Sequence, residues 1–205
     1  MLLSRRVLLC SAMLLGTLAA CKGDPVPVMT VHAPAPDSFK VSFETSKGPF
    51  VVQVNRAWAP IGADRFYELV GEGFFDDTYF FRVLPDFIVQ FGVNDKKARN
   101  ESWEKKPIKD DSVRTSNKRG TLVYAMDSKD SRAHQLFVNL SDNAQLDKQG
   151  FAPIGLVVSG MSVVDSLYGG YQESPSYHLI ATLGNSYLRR MFPRLDLIKT
   201  ARIVE

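Results

Sequence analysis

Histidine and cysteine are both scarce in this chain, and their positions exclude several kinds of site. The 205 residues include only three histidines, His32, His134 and His178, which lie far apart in sequence. We therefore expect no histidine-ligated metal site, and no cofactor of any kind. The two cysteines, Cys10 and Cys21, leave none beyond residue 21 for a disulfide or for thiol chemistry.

The chain also has no large excess of positive charge, and this limits the partners that it could bind through a basic surface. The formal net charge is +3 at neutral pH, and it falls by two, to near +1, if the N-terminal Arg5 and Arg6 are removed. So small a charge offers no basic patch, and we expect no nucleic-acid partner. The sequence also has no Ser/His/Asp arrangement, no glycine-rich phosphate loop and no internal repeat.

The N-terminal segment is typical of a secretion signal. Two arginines form a short positive region, and the apolar stretch Val7–Leu18 that follows is too short to span a membrane as a stable helix. The sequence Leu18-Ala19-Ala20-Cys21 then resembles the lipobox of bacterial lipoproteins, in which the signal is cleaved before the cysteine and the cysteine receives lipid. This resemblance implies a signal peptide over residues 1–20 and a mature chain anchored through Cys21. An ordinary signal peptide, or a retained anchor helix, stays an alternative.

The segment after the cysteine is typical of an extended spacer. Residues 21–38 are rich in Pro, Ala, Val and small polar residues, and their apolar residues follow no helical or strand period. The alternative is that this segment packs against the domain as an edge segment, which is possible only for Val26–Val31. We therefore expect a tethered domain outside the cytoplasm, on a bacterial membrane that faces the periplasm. Lys22, rather than an aspartate, after the cysteine favours the outer membrane of a Gram-negative cell.

Residues 39–205 have the hydrophobic content of one buried domain. Hydrophobic residues make up 45% of the chain, and phenylalanine occurs 13 times. Short apolar runs between turn formers predict strands over residues 39–45, 50–54, 78–84, 87–93, 120–126, 135–140, 154–158 and 198–204. Helices are predicted from Pro60, over 161–168 and around 186–191. The fold class we predict is mainly β, a closed antiparallel barrel capped by two or three short helices, and the charged segment 94–119 is expected to be a long surface loop.

One run of the sequence resembles a family signature. The run Tyr79–Gly92, YFFRVLPDFIVQFG, is similar to the signature of cyclophilins, which are peptidyl-prolyl cis-trans isomerases. Seven positions fall at its spacing: Phe80, Arg82, Val83, Pro85, Phe87, Gln90 and Gly92. The resemblance extends over nearly all of residues 39–205, with further segments similar to a secreted bacterial branch. It implies an eight-stranded cyclophilin-like barrel and an enzyme that accelerates rotation about Xaa-Pro peptide bonds in extracytoplasmic proteins.

Carried over by position, the resemblance also implies the site residues. The catalytic residue is Arg82, and the proline pocket and groove are formed by Phe87, Ile88, Gln90, Ala125, Gln135, Phe137 and Leu146. The implied partners are proline-containing peptides and unfolded client proteins, and nothing in the sequence indicates more than a monomer.

Three departures from the family pattern bear on substrate range. Gln145 stands where the family has a pocket-rim tryptophan, Met126 stands where it has a peptide-binding asparagine, and Phe151 or Ala152 falls near its histidine. We therefore expect weak binding of cyclosporin. A low-activity or inactive module that binds proline peptides through the same groove stays an alternative. Without the surrounding signature, Arg82 would predict only a surface arginine at a strand end that forms an ion pair.

Overall fold

The structure, a computed structural model, describes residues 34–205. The predicted signal peptide, Cys21 and the tether up to residue 33 lie outside the described residues. Ala35 is buried, and its backbone N–H donates to Asp64 Oδ1 at 2.9 Å, so contacts with the domain begin a few residues before Phe39. Within the described range, no helix has the length and hydropathy needed to cross a membrane.

The described residues form one antiparallel sheet of nine strands. The strands are β1 (Ser38–Thr45), β2 (Gly48–Asn55), β3 (Thr78–Tyr79), β4 (Arg82–Leu84), β5 (Ile88–Phe91), β6 (Thr121–Tyr124), β7 (Leu136–Asn139), β8 (Pro153–Ser159) and β9 (Leu197–Val204). Their hydrogen-bonded order is β3-β9-β1-β2-β8-β6-β7-β5-β4.

The two strands at the ends of this order, β3 and β4, are consecutive in the chain. Only Phe80 and Phe81 separate them, and this short link curls the sheet into a half-barrel, without a β3–β4 ladder among the described residues. The mainly β fold class is confirmed. There are nine strands rather than eight because the predicted strand 78–84 is divided at this link: β3 pairs with β9, whereas β4 pairs with β5.

The inner face of the sheet holds the main core. In β1, Phe39, Val41 and Phe43 are buried while the residues between them are exposed or half-buried, because successive side chains of a strand point to opposite faces. The rings of Phe43 and Phe50 stack with centroids 4.7 Å apart across the β1–β2 pair. The strand was predicted from its run of β-forming residues, and the alternation shows which of these residues face the core.

Helix α1 (Pro60–Gly71) packs on this core through one apolar stripe. Ala63, Phe66 and Val70 are all buried, as side chains three and four residues apart share one face of a helix. The helix begins at the predicted Pro60, where a missing N–H costs nothing.

The N-terminus of α1 is capped by a residue distant in sequence. Its N-cap residue, Ala59, has no side chain able to accept a hydrogen bond. Instead, Asp111 accepts from the backbone N–H of Ile61 (3.0 Å) and of Gly62 (2.9 Å), and Arg132 Nη1 donates to the same carboxylate at 3.1 Å. The side chains of Asp111 and Arg132 are both almost fully buried, so this ion pair joins α1 to the segment before β7.

The remaining helical elements are α2 (Lys97–Glu104), a 3₁₀ turn (Ala144–Gln149), α3 (Met161–Asp165), α4 (Tyr177–Leu183) and α5 (Asn185–Met191). Elements α3 and α5 were predicted, although α3 ends three residues early. The expectation that 94–119 is entirely loop is wrong, since it contains α2. Trp103 anchors this helix, with the Arg65 guanidinium 4.7 Å above its ring.

A second apolar cluster lies outside the half-barrel. Residues of α4 and α5 pack there against the β3–β4 link, and the buried members are Tyr79, Phe81, Val93, Ile180, Tyr187, Leu188 and Leu195. This packing places the turn between α3 and α4 beside the first residue of β4.

Candidate active site

A row of side chains crosses four strands on the outer face of the sheet. Arg82 in β4 lies opposite Gln90 in β5, Gln90 lies opposite Phe137 in β7, and Phe137 lies opposite Val123 in β6. Residues directly opposite each other in neighbouring strands project to the same face. We call Arg82, Gln90, Phe137 and Val123 the cross-strand row; it places the predicted catalytic arginine and pocket on one surface.

The guanidinium of Arg82 is held on two sides. Its Nη1 donates to Gln90 Oε1 (3.2 Å), and Gln90 Nε2 donates in turn to Gln135 Oε1 (3.0 Å). On the other edge, Glu173 Oε1 accepts from Nε (2.7 Å) and from Nη2 (2.5 Å). The Arg82 side chain is 28% exposed, so the cation is fixed and still accessible.

The residues predicted for the proline pocket meet beside this arginine. Ile88, Phe137 and Leu146 are buried together with Val123, and Phe87, Ala125 and Phe151 pack against them. The structure therefore brings Arg82 and the seven predicted pocket and groove residues to one surface. Sequence reasoning did not include Val123, whose position follows from the β6–β7 register rather than from a local pattern.

Gly92 brings the Gln135 segment close to the end of β5. A Cβ at this glycine would lie 2.5 Å from the backbone oxygen of His134, and its φ of +101° is unfavourable for other residues. His134 Nδ1 lies 2.7 Å from Gly92 O. Burial lowers the pKa of His134, so this residue is a neutral part of the groove wall.

The turn that carries Leu146 is fixed by its neighbour Asp147. Asp147 Oδ1 accepts from the backbone N–H (2.8 Å) and Nδ2 (2.7 Å) of Asn117, and Oδ2 accepts from the Ser116 hydroxyl at 2.6 Å. Burial raises the pKa of Asp147, but the hydrogen bonds from Ser116 and Asn117 outweigh burial and hold the pKa below its usual range. The charged carboxylate therefore supports one wall of the pocket.

Two cavities adjoin the cross-strand row, and Gln90 and the neighbouring Gln135 line both of them. The first, of about 280 Å³, is lined by Phe81, Arg82, Gln90, Asp127, Gln135, Glu173, Pro175 and Tyr177. The second, of about 320 Å³, includes Glu104, Met126 and His134 in its lining. Sequence reasoning missed Glu173, which is 91 residues from Arg82, and no local signal marks it.

The positions that depart from the family pattern lie around this groove. Gln145 is exposed on the 3₁₀ turn, and its Nε2 donates to Asn143 Oδ1 at 3.3 Å. Phe151 packs edge-on against Phe137, with ring centroids 5.7 Å apart. Ala152 is buried in the main core, so Phe151 is the residue at the pocket edge.

This arrangement suits a reaction without proton transfer. A guanidinium stays protonated, so Arg82 can donate hydrogen bonds but cannot act as a base. Among residues 34–205, no three or more His, Cys, Asp or Glu side chains are grouped to hold a metal ion. The site is a groove in which a fixed cation lies beside an apolar pocket.

Comparison with known proteins identifies the family. Residues 40–182 match the family described as cyclophilin type peptidyl-prolyl cis-trans isomerase/CLD. Peptidyl-prolyl cis-trans isomerase A of Dickeya dadantii is 35% identical over an alignment of 169 residues that covers 74% of this chain and 88% of that protein. A peptidyl-prolyl cis-trans isomerase of Acinetobacter baylyi is 33% identical over an alignment of 161 residues that covers 72% of this chain and 84% of that protein.

The fold has a solved counterpart as well. The crystal structure of a Cryptosporidium parvum cyclophilin type peptidyl-prolyl cis-trans isomerase, in the presence of the dipeptide Ala-Pro, superposes with a TM-score of 0.60 at 17% identity. The match covers 81% of this chain and 99% of that one. The chain belongs to the family of cyclophilin-type peptidyl-prolyl cis-trans isomerases, and the family and enzyme class predicted from the sequence are confirmed.

Proposed function

We propose that this protein accelerates rotation about Xaa-Pro bonds in extracytoplasmic proteins, with Arg82 as the catalytic residue, and so assists their folding. The observation that carries the proposal is the cross-strand row, which sets a fixed hydrogen-bond donor beside an apolar pocket. Membership of the isomerase family supports the same reaction.

The energetic demand of this reaction is within the reach of non-covalent effects. The uncatalysed barrier to Xaa-Pro rotation is about 18 to 20 kcal/mol, because the C–N bond is partly double, and exchange takes tens to hundreds of seconds. Shortening about a hundred seconds to about a millisecond requires a factor of roughly 10⁵, or about 7 kcal/mol. No covalent bond has to break.

Arg82 supplies a hydrogen bond that the twisted amide can use and the planar amide cannot. When the C–N bond rotates, resonance is lost and the proline nitrogen regains a lone pair. A guanidinium N–H can donate to that nitrogen without any proton transfer. Because Gln90 and Glu173 already fix the guanidinium, little reorganisation is needed during rotation.

The apolar pocket supplies the second contribution. Ile88, Phe137 and Leu146 are suited to hold the proline ring, while Gln90 and Gln135 are suited to bind the peptide backbone. A water-poor surface disfavours the polarised planar amide relative to the twisted one. The proline ring therefore stays fixed while the preceding carbonyl rotates.

Exchange NMR on a proline peptide tests the proposal directly. The full chain in detergent is expected to broaden the cis and trans signals of Ala-Ala-Pro-Phe, and Arg82→Ala is expected to lower kcat/KM by about 10²-fold. Equal exchange rates with the wild-type and Arg82→Ala proteins would contradict the role of Arg82.

A binding module with little turnover is the second candidate. One observation in its favour is that Glu173 already binds one edge of the Arg82 guanidinium. Another is that Gln145 and Met126 stand in place of family residues at the groove. This candidate predicts that proline peptides shift groove resonances without faster exchange between cis and trans. The same NMR experiment therefore separates the two functions.

We also propose that Cys21 carries lipid and anchors the domain to the periplasmic face of a bacterial membrane, favouring the outer membrane. The motif Leu18-Ala19-Ala20-Cys21 supports this proposal. Two or more buried acyl chains hold a protein stably, at about 0.8 kcal/mol per CH₂ group. Labelled palmitate should be incorporated by the wild type and lost in Cys21→Ser; incorporation that survives the substitution would refute the anchor.

A further inference from the structure

Glu173 contacts the proposed catalytic arginine from a part of the chain outside the barrel. It lies in the turn between α3 and α4, and its Oε1 accepts from two nitrogens of Arg82, Nε (2.7 Å) and Nη2 (2.5 Å). Glu173 is 62% exposed, whereas Arg82 is 28% exposed. The contact is therefore made at the surface of the groove and not within the core.

The turn that presents Glu173 is itself packed. Ser174 N donates to Tyr171 O at 2.9 Å, and the Tyr171 ring lies 5.1 Å from the rings of both Tyr168 and Phe192. Ser176 N donates to the hydroxyl of Tyr187 at 3.3 Å. These contacts attach the chain before and after Glu173 to the second apolar cluster, so the Glu173 carboxylate is held in a defined position beside Arg82.

The hydrogen bonds of Arg82 leave specific donors free. A guanidinium has five N–H groups. Glu173 takes one on Nε and one on Nη2, and Gln90 takes one on Nη1. Two N–H groups, one on each Nη, have no acceptor among residues 34–205. Glu173 thus binds the Nε edge of the guanidinium and leaves one N–H group on each Nη atom for a substrate.

We propose that Glu173 is a positioning residue for Arg82 and that its carboxylate, with that of Asp127, makes the groove favour basic over acidic side chains next to the proline. The proposal rests on the isomerase function and names a substrate preference for it. Asp127 lines the same cavity of about 280 Å³ as Arg82 and Glu173, and no second lysine or arginine lines it. With Arg82 balanced by Glu173, the charge of Asp127 is uncompensated there.

The charge preference separates positioning from a merely structural contact. At a partly exposed site, one carboxylate changes the relative binding of a basic and an acidic side chain by a few-fold, and salt weakens the effect. A residue that only held the turn in place would alter all peptides equally. The test therefore compares peptides that differ only in the charge of the residue before proline.

Glu173→Gln keeps the shape of the side chain and removes its charge. The matched control is Glu101→Gln, which removes another exposed carboxylate, paired with Lys97 on α2, that lines neither groove cavity. Exchange NMR on the full chain in detergent compares Ala-Lys-Pro-Phe, Ala-Ala-Pro-Phe and Ala-Glu-Pro-Phe at low salt. The wild type and Glu101→Gln should prefer the Lys to the Glu peptide by about fivefold. Glu173→Gln should reduce this ratio to about twofold and lower kcat on the Ala peptide by about fivefold.

Arg82 provides a readout that does not depend on turnover. Its Nε–H resonance should exchange slowly with water in the wild type, and at least tenfold faster in Glu173→Gln. An unchanged Nε–H signal, an unchanged Lys-to-Glu ratio, or faster turnover of all three peptides by Glu173→Gln would each overturn the proposal. If the wild type is inactive while Arg82 Nε–H protection still depends on Glu173, the isomerase function fails and positioning stands without its substrate preference.

Discussion

Gln90 in β5 lies directly opposite Phe137 in β7, and on its other side it accepts a hydrogen bond from Arg82 Nη1 at 3.2 Å. One glutamine therefore sets the spacing between the guanidinium and the apolar pocket. Because three adjacent strands define this spacing, small movements of surface loops do not alter it. The sheet therefore fixes the relative strand positions of Arg82 and Phe137, while Glu173 in the turn between α3 and α4 holds the other edge of the guanidinium.

Replacing Gln90 by leucine should lower activity without unfolding the protein. The substitution removes the acceptor for Arg82 Nη1 and leaves a side chain of similar size, so we expect kcat/KM to fall about tenfold, or about 1.4 kcal/mol. Gln53→Leu is the matched control, since Gln53 in β2 is also half-buried and hydrogen-bonded, donating to Ser38 Oγ at 2.6 Å. If both variants keep full activity in the exchange assay, Gln90 does not orient the arginine.

Phe137→Leu should separate pocket function from core stability. Phe137 and Phe43 are both buried, but Phe137 belongs to the proposed proline pocket and Phe43 to the main core. Either change to leucine should lower the free energy of unfolding by about 1 kcal/mol, measured by urea denaturation. Only Phe137→Leu should raise KM for a proline peptide, by several-fold. An equal rise of KM in the Phe43→Leu variant would show that KM reflects a general loss of core packing and not a loss of the pocket.

Much of the fold is predictable because short apolar runs between turn formers mark the strands. The sequence predicts β1, β2 and α1 nearly to the residue, since Phe39, Val41 and Phe43 face one side and Ala63 and Phe66 form a stripe. The groove residues were predicted from the resemblance to the family; the apolar ones among them lie in one cluster, and their roles stay predictions. The division of the strand at Phe80 and Phe81 could not be predicted, because both residues are buried, in two different clusters.

Helices α2 and α4 carry no such pattern. In α2, only Asn100 and Trp103 are buried among charged neighbours. In α4, Ile180 is buried whereas Leu179 and Leu183 are exposed, so hydrophobicity does not mark the packed face. The contact of Glu173 with Arg82 could therefore not be predicted from the sequence, since the position of Glu173 depends on how the helices pack against the β3–β4 link.

Asp111→Asn should destabilise the fold strongly. Asp111 accepts from two backbone N–H groups at the start of α1 and from the buried Arg132. An asparagine loses the charge of Asp111 and leaves Arg132 with the half-buried Asp110 as its remaining carboxylate, 3.2 Å away. Loss of the buried partner, together with the weaker cap, should cost about 2 to 3 kcal/mol. Asp165→Asn, which breaks an exposed pair with Arg119, should cost less than about 1 kcal/mol. Urea denaturation of both variants measures the contrast, and similar losses would contradict the role of Asp111 as a buried cap.

Acid should weaken the fold partly through Asp147. The pKa of this carboxyl lies below its usual value of about 3.9 in the folded state. Its extra stabilisation is therefore present above the unfolded pKa and disappears as pH falls through the lower folded pKa. Asp147→Asn should lower the free energy of unfolding by about 1 to 2 kcal/mol at pH 7, because charged hydrogen bonds to Ser116 and Asn117 are lost. The difference between wild type and variant should shrink as pH falls from about 5 to about 2 in urea denaturation series. A difference that stays constant over this range would show that the carboxylate charge does not support the Leu146 turn.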